Sequence, residues 1–99
     1  MPERKHRLLV HTHLVVVRSP VSVIFGPLLS QLDIFPNGDS CRFTWAGQSG
    51  TLRLGIGSEI LASHGSAHIG EINSGDGSMR VRIRTPYTIS VTHHNDLGR

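Results

Sequence analysis

Three arginines at alternate positions, Arg80, Arg82 and Arg84, are the residues best placed by type and spacing to do chemistry. On an extended strand, residues two apart project from one face. Three guanidinium groups then stand in a row, while Met79, Val81 and Ile83 face the other way, toward a core. Like charges so placed repel unless something negative lies beside them. A phosphate backbone would serve, and so would a carboxylate row on a neighbouring strand. The plainer alternative is a solvated outer face.

A second pattern is His11-Thr12-His13. Two histidines at i and i+2 on a strand point the same way, a spacing that lets both bind one Zn²⁺ or Fe²⁺, as in strand-borne pairs of cupins. A site needs a third ligand. His64, His68, His93, His94, Glu59 and Glu71 are the donors on offer, none at a diagnostic spacing. The glutamate that cupins place shortly after the pair is missing, because Leu14 to Val17 follow. Partly buried or surface histidines are therefore the expectation, with no metal and no cofactor. There is no G-x-S-x-G elbow. Gly55-Ile56-Gly57-Ser58 lacks the Lys-Ser/Thr of a phosphate loop. The seven acidic residues form no evident acid–base pair. The chain is expected not to be an enzyme.

Strands must position these residues. The stretch 7–18 reads as a first strand, with Leu8, Val10, Thr12, Leu14 and Val16 on one face and Leu9, His11, His13, Val15 and Val17 on the other. Both faces are largely apolar, so the strand is expected to be covered on both. Ser19-Pro20 and Gly26-Pro27 mark breaks on either side of a strand over 21–25. Residues 28–35 are ambiguous, with leucines at helical spacing. Pro36-Asn37-Gly38-Asp39 and Gly47-Gln48-Ser49-Gly50 are predicted turns. Further strands are expected over 41–46, 51–54, 58–63, 66–72, 79–85 and 87–92, with a loop over 74–78 and a polar tail from His93. About eight short strands at this spacing predict an all-β sandwich or barrel, residues 1–99 forming a single domain.

Composition agrees. The chain has 99 residues, 37% hydrophobic and 17% charged, outside the range of disordered chains. Ten Lys+Arg against seven Asp+Glu give +3, a bias toward anionic partners. The lone Cys41 excludes an intrachain disulfide, which fits a reducing compartment or a protein that does without bridges; a cytoplasmic setting is expected. Its thiol reads as a small buried apolar group. No run of about 20 apolar residues is present to span a membrane. Arg4-Lys5-His6-Arg7 before an apolar stretch resembles a signal peptide. His11-Thr12-His13 interrupts that stretch, and no small-x-small site follows, so an ordinary first strand is expected.

From about Thr51 onward the chain resembles the carbon storage regulator family of RNA-binding translational repressors. Leu52, Leu54 and Gly57 stand near the start, Arg80-Val81-Arg82-Ile83 falls at the family's V-R-I-G-V segment, and Pro86 with Ile89-x-Val91 follows at the family's spacing. The resemblance implies an intertwined dimer that binds GGA-containing hairpins in messenger leaders. Where the family places its RNA-contacting arginines stand Leu54, Gly55 and His93, with Arg53 one position off. Arg53, Arg80, Arg82, Arg84 and His93 are thus the candidate nucleic-acid-binding residues. The expected function is a non-enzymatic regulator that binds RNA or another polyanion. Phe43, Trp45 and Tyr87 serve either as stacking platforms or as core. The alternative is an assembly protein forming a symmetric homo-oligomer, for which the apolar strand Leu8–Val17 speaks. The third is a small metal-binding β-barrel enzyme built on His11 and His13.

Overall fold

The computed structural model describes residues 9–27, 30–38, 40–53, 60–73 and 79–94. These form nine strands: β1 (His11–Val17), β2 (Val21–Phe25), β3 (Ser30–Asn37), β4 (Ser40–Trp45), β5 (Gln48–Arg53), β6 (Ile60–His64), β7 (Ala67–Asn73), β8 (Met79–Thr85) and β9 (Ile89–His93). One sheet has the order β1-β8-β7-β6 and the other β5-β4-β3-β2-β9, all pairs antiparallel. The expected all-β fold is a sandwich.

The strands form because apolar and polar residues alternate, and the alternation sorts them into layers. Phe25, Leu32, Ile34, Ile69, Val81 and Ile83 are fully buried between the sheets. The buried aromatics all come from the five-stranded sheet. Phe25 stacks on Trp45 with centroids 5.4 Å apart, and the His64 ring meets Trp45 edge-on at 5.8 Å. The four-stranded sheet answers with aliphatic side chains, so large rings interdigitate with smaller groups. Cys41 is buried, as expected, and donates to Met79 Sδ at 3.2 Å.

Several elements differ from the sequence reading. The ambiguous 28–35 stretch supplies the ninth strand: from Ser30 it pairs with β2 and β4, and tertiary pairing overrides the helical spacing of its leucines. The strand runs on through Pro36 and Asn37, so the turn is tighter than predicted and centres on Gly38. The next turn is Ala46-Gly47, not 47–50. Both residues have positive φ (50° and 78°), which gives a two-residue type I′ hairpin and leaves Gln48–Gly50 in β5. Gly65, φ 61°, is the first residue of the two-residue loop joining β6 to β7, as a type II′ turn requires.

The largest correction concerns β1. It was expected to be covered on both faces. It is instead an edge strand of its sheet, and only Val15 and Val17 are buried. Leu14 on its outer face is 52% exposed. The basic start, the 55–58 glycine pair, the 74–78 loop and the tail from 95 lie outside the described residues.

Candidate nucleic-acid interface

The core-facing residues of β8, Val81, Ile83 and Thr85, are fully or almost fully buried, which fixes the orientation of the strand. Arg80, Arg82 and Arg84 therefore lie on its outer face, the first two half-buried and Arg84 exposed. Strand rise places alternate residues about 7 Å apart. This is comparable with the step between successive phosphates along an extended nucleic-acid strand.

The register shows what flanks them. Arg80 pairs with Val16 and Ile72, Arg82 with Leu14 and Gly70, and Arg84 with Thr12 and His68. None of these six cross-strand positions holds a carboxylate. Glu71 of β7 pairs with Val81 instead. Cross-strand pairing thus sets no carboxylate directly opposite Arg82 or Arg84, while Arg80 already has an interaction within the chain. The outer face is a cationic row bordered by apolar side chains, with Leu14 and Val10 exposed on the β1 side and Ile60 on β6.

The other candidates are placed elsewhere. Arg53 ends β5 and His93 ends β9, at the two opposite edges of the five-stranded sheet. The fold gathers the three arginines of β8 and leaves these two apart from them. Phe43 and Trp45 are 4% and 2% exposed, so they are core and not platforms. Tyr87 is half-buried just after β8, where its amide donates to Thr85 Oγ1 at 3.1 Å.

His11 and His13 share a face with ring centroids 6.4 Å apart. His13 Nε2 is shielded from solvent without a hydrogen bond. Among the described residues no group of three His, Cys, Asp or Glu converges to hold a metal.

One cluster escaped the sequence reading. On the outer face of the five-stranded sheet, Ser22 Oγ donates to Asp33 Oδ1 at 2.7 Å and lies 2.9 Å from His94 Nε2. Gln31 Nε2 donates to the same carboxylate oxygen at 2.8 Å. The serine has one proton and gives it to Asp33, so His94 Nε2–H is the donor to Ser22. A nucleophilic triad places the imidazole between hydroxyl and carboxylate. Here the hydroxyl stands in the middle, and the arrangement clasps β9 to β2 and β3. No local motif announces it, because Ser22 and His94 are 72 residues apart and meet only through the β2–β9 pairing.

Among the described residues no helix is long and apolar enough to cross a membrane. Compared with protein-family models, curated proteins and solved structures, the chain matches none.

Proposed function

We propose that this protein is a non-enzymatic binding module whose β8 arginine face docks on the phosphate backbone of RNA. The observation that supports the reading is the cross-strand setting of Arg80, Arg82 and Arg84. Three like charges stand in a row on a sheet face whose six flanking positions offer no carboxylate. An external polyanion would meet the charges of Arg82 and Arg84 and release its own counterions. The face carries no Phe, Tyr or Trp on its described strands, so contact falls mainly on the backbone, and affinity comes from charge. Regulation of messenger translation in the cytoplasm is the use that the family resemblance implies for such a face.

Binding of a short single-stranded RNA, followed by fluorescence anisotropy across a salt series, tests the proposal. Three phosphate contacts give a slope of log K against log salt of about −2, so affinity falls about twentyfold between about 50 and 200 mM salt. Salt-insensitive binding, or none at low salt, overturns it.

A second reading rests on a different observation. The edge strand β1 exposes Leu14, with Val10 exposed just before it, and the edge strand β9 exposes Val91. Edges with apolar side chains are templates for pairing with another chain. Self-assembly would then be the function, and light scattering after size exclusion would find a defined oligomer indifferent to salt and free of nucleic acid.

A further inference from the structure

The two layers of the sandwich do not end together. Across the core β1 lies against β3, and β5 against β7. With the orders β1-β8-β7 and β3-β4-β5 running side by side, β2 and β9 reach past the edge strand β1. Burial shows where the cover runs out. Ile89 and Val91 pair with Phe25 and Val23, so all four turn toward the core side of their sheet. Phe25 and Val23 are fully buried, yet Val91 is 38% exposed and Ile89 only half-buried. Among the described residues, the layer opposite β9 therefore lacks a strand, and the vacancy lies beside the free edge of β1.

The four edges of the two sheets are not equally protected. Edge strands of soluble proteins are blunted by bulges, charges or proline. Strand β6 has a register shift between Ile60 and Ala62, and β5 ends in Arg53. Strands β1 (HTHLVVV) and β9 (ISVTH) have regular registers and hold no Lys, Arg, Asp, Glu or Pro. These two unguarded edges meet at the same corner, one in each layer.

We infer that this corner is the interface of a two-fold dimer of this chain, in which β9 of each copy fills the strand vacancy of the other. A two-fold axis along the strands exchanges the layers and makes the contact isologous. It sets the overhanging β9 of one copy beside the bare β1 of the second, and the reverse. Each joint layer then holds four strands from one copy and five from the other. The inner faces of the two β9 strands cover each other. The occupant is a second copy because the corner supplies both halves of the fit, an edge without a neighbour and an apolar strand face without cover. Strand β9 also alternates as the vacancy requires, with Ile89 and Val91 inward and Ser90 and Thr92 outward. The inference rests on the self-assembly reading and gives it a geometry, and the dimer leaves the arginine face open.

Light scattering after size exclusion is expected to give twice the 10.8 kDa of one chain. Val91→Lys turns a charge into the interface. It is expected to raise the dimer dissociation constant by more than about tenfold, as for an unpaired charge buried there, with an unchanged circular dichroism spectrum. Disulfide trapping tests the geometry without relying on that variant. Leu14 stands on the outer face of one sheet, and Ser90 and Thr92 on the outer face of the other, so no bridge joins them within one chain. In the dimer they share one face of a joint layer, while Cys41 is only 2% exposed. Leu14→Cys combined with Ser90→Cys or with Thr92→Cys is expected to lock the dimer, and none of the three single variants to do so. A dimer locked by a single variant would mean that like edges pair, which overturns this geometry and leaves self-assembly standing. A dimer that no cysteine pair locks and that Val91→Lys leaves intact has the same meaning. A monomer at every concentration overturns both, and the RNA reading is unaffected.

Discussion

The two outer faces of this sandwich distribute charge differently. On the five-stranded sheet Asp33 and Arg42 are matched at home. Asp33 accepts from Ser22 and Gln31, His94 closes the chain of hydrogen bonds, and the Arg42 guanidinium lies over the Phe35 ring at 5.5 Å. On the four-stranded sheet the three arginines of β8 have aliphatic residues, glycine, threonine and histidine as cross-strand neighbours. A face that satisfies its own polar groups has little to gain from a partner. A face that concentrates one sign of charge beside exposed apolar side chains gains from one, because Arg beside apolar surface is what interfaces are enriched in. On the function proposed above, binding falls to the four-stranded sheet and structural closure to the five-stranded one.

The sharpest way to break this comparison is to reverse one charge on each face. Arg82→Glu removes the central cation of the row and adds a repulsive carboxylate. It is expected to lower single-stranded RNA affinity ten- to a hundredfold, about 1.5–3 kcal/mol, as for loss of a charge-assisted contact. The slope of the salt series becomes shallower by about 0.7. Arg42→Glu, on the opposite face, is expected to change affinity less than about threefold, through net charge alone. Equal losses from the two substitutions would mean that net charge, and not the row, draws the RNA.

The next effect belongs to stability and to the other face. Asp33→Asn keeps the shape but withdraws the carboxylate that accepts from Ser22 and Gln31. Urea unfolding is expected to show a loss of about 1–2 kcal/mol, the scale of hydrogen bonds to a charged group, while RNA affinity changes by no more than about twofold. A variant as stable as the wild type would show that the clasp is ornamental, and the contrast between the faces would then rest on the arginines alone.

Most of the layering was legible in the sequence because a period of two is unambiguous wherever one face is buried. The 79–85 segment shows this best: Val81 and Ile83 are buried and the arginines face outward, as their alternation predicts. The reading weakened where information was non-local. The leucines of 28–35 matched a helical spacing, and only pairing with β2 and β4 makes 30–37 a strand. Strand β1 is apolar on both faces, and sequence does not say whether such a strand is central or at an edge. Ser22, Asp33 and His94 carry no motif, since the β2–β3 and β2–β9 pairings alone assemble them. The open corner between β1 and β9 was illegible for the same reason. It depends on which strands of the two sheets lie across from one another.

A smaller change sharpens the choice between RNA binding and self-assembly. Leu14 stands opposite Arg82 on the free edge strand, so Leu14→Lys extends the cationic field without entering the core. Surface substitutions of this kind usually alter stability by no more than about 0.5 kcal/mol. If the face binds RNA, affinity rises about threefold and the salt slope steepens by about 0.7. If the face is buried against a second copy, the lysine breaks the oligomer instead. Light scattering and anisotropy on the same sample separate the two.

The smallest expected effect tests the premise that the five-stranded sheet is scaffold. Ala46 is the only described non-glycine residue with positive φ, in a type I′ turn whose central positions favour Asn-Gly. An alanine held there is strained, whereas asparagine tolerates the left-handed region. Ala46→Asn converts the β4–β5 loop to Asn-Gly and is expected to stabilise the fold by about 0.5 kcal/mol, raising Tm by about 2–4 °C for a domain of this size. The exposed turn has no place on the arginine face, so RNA affinity and salt slope are expected to stay those of the wild type. A gain in Tm accompanied by lost RNA binding would place function at the β4–β5 turn, where Gln31, Thr44 and Gln48 border a hollow of about 320 Å³. The assignment of the two faces would then have to be reversed.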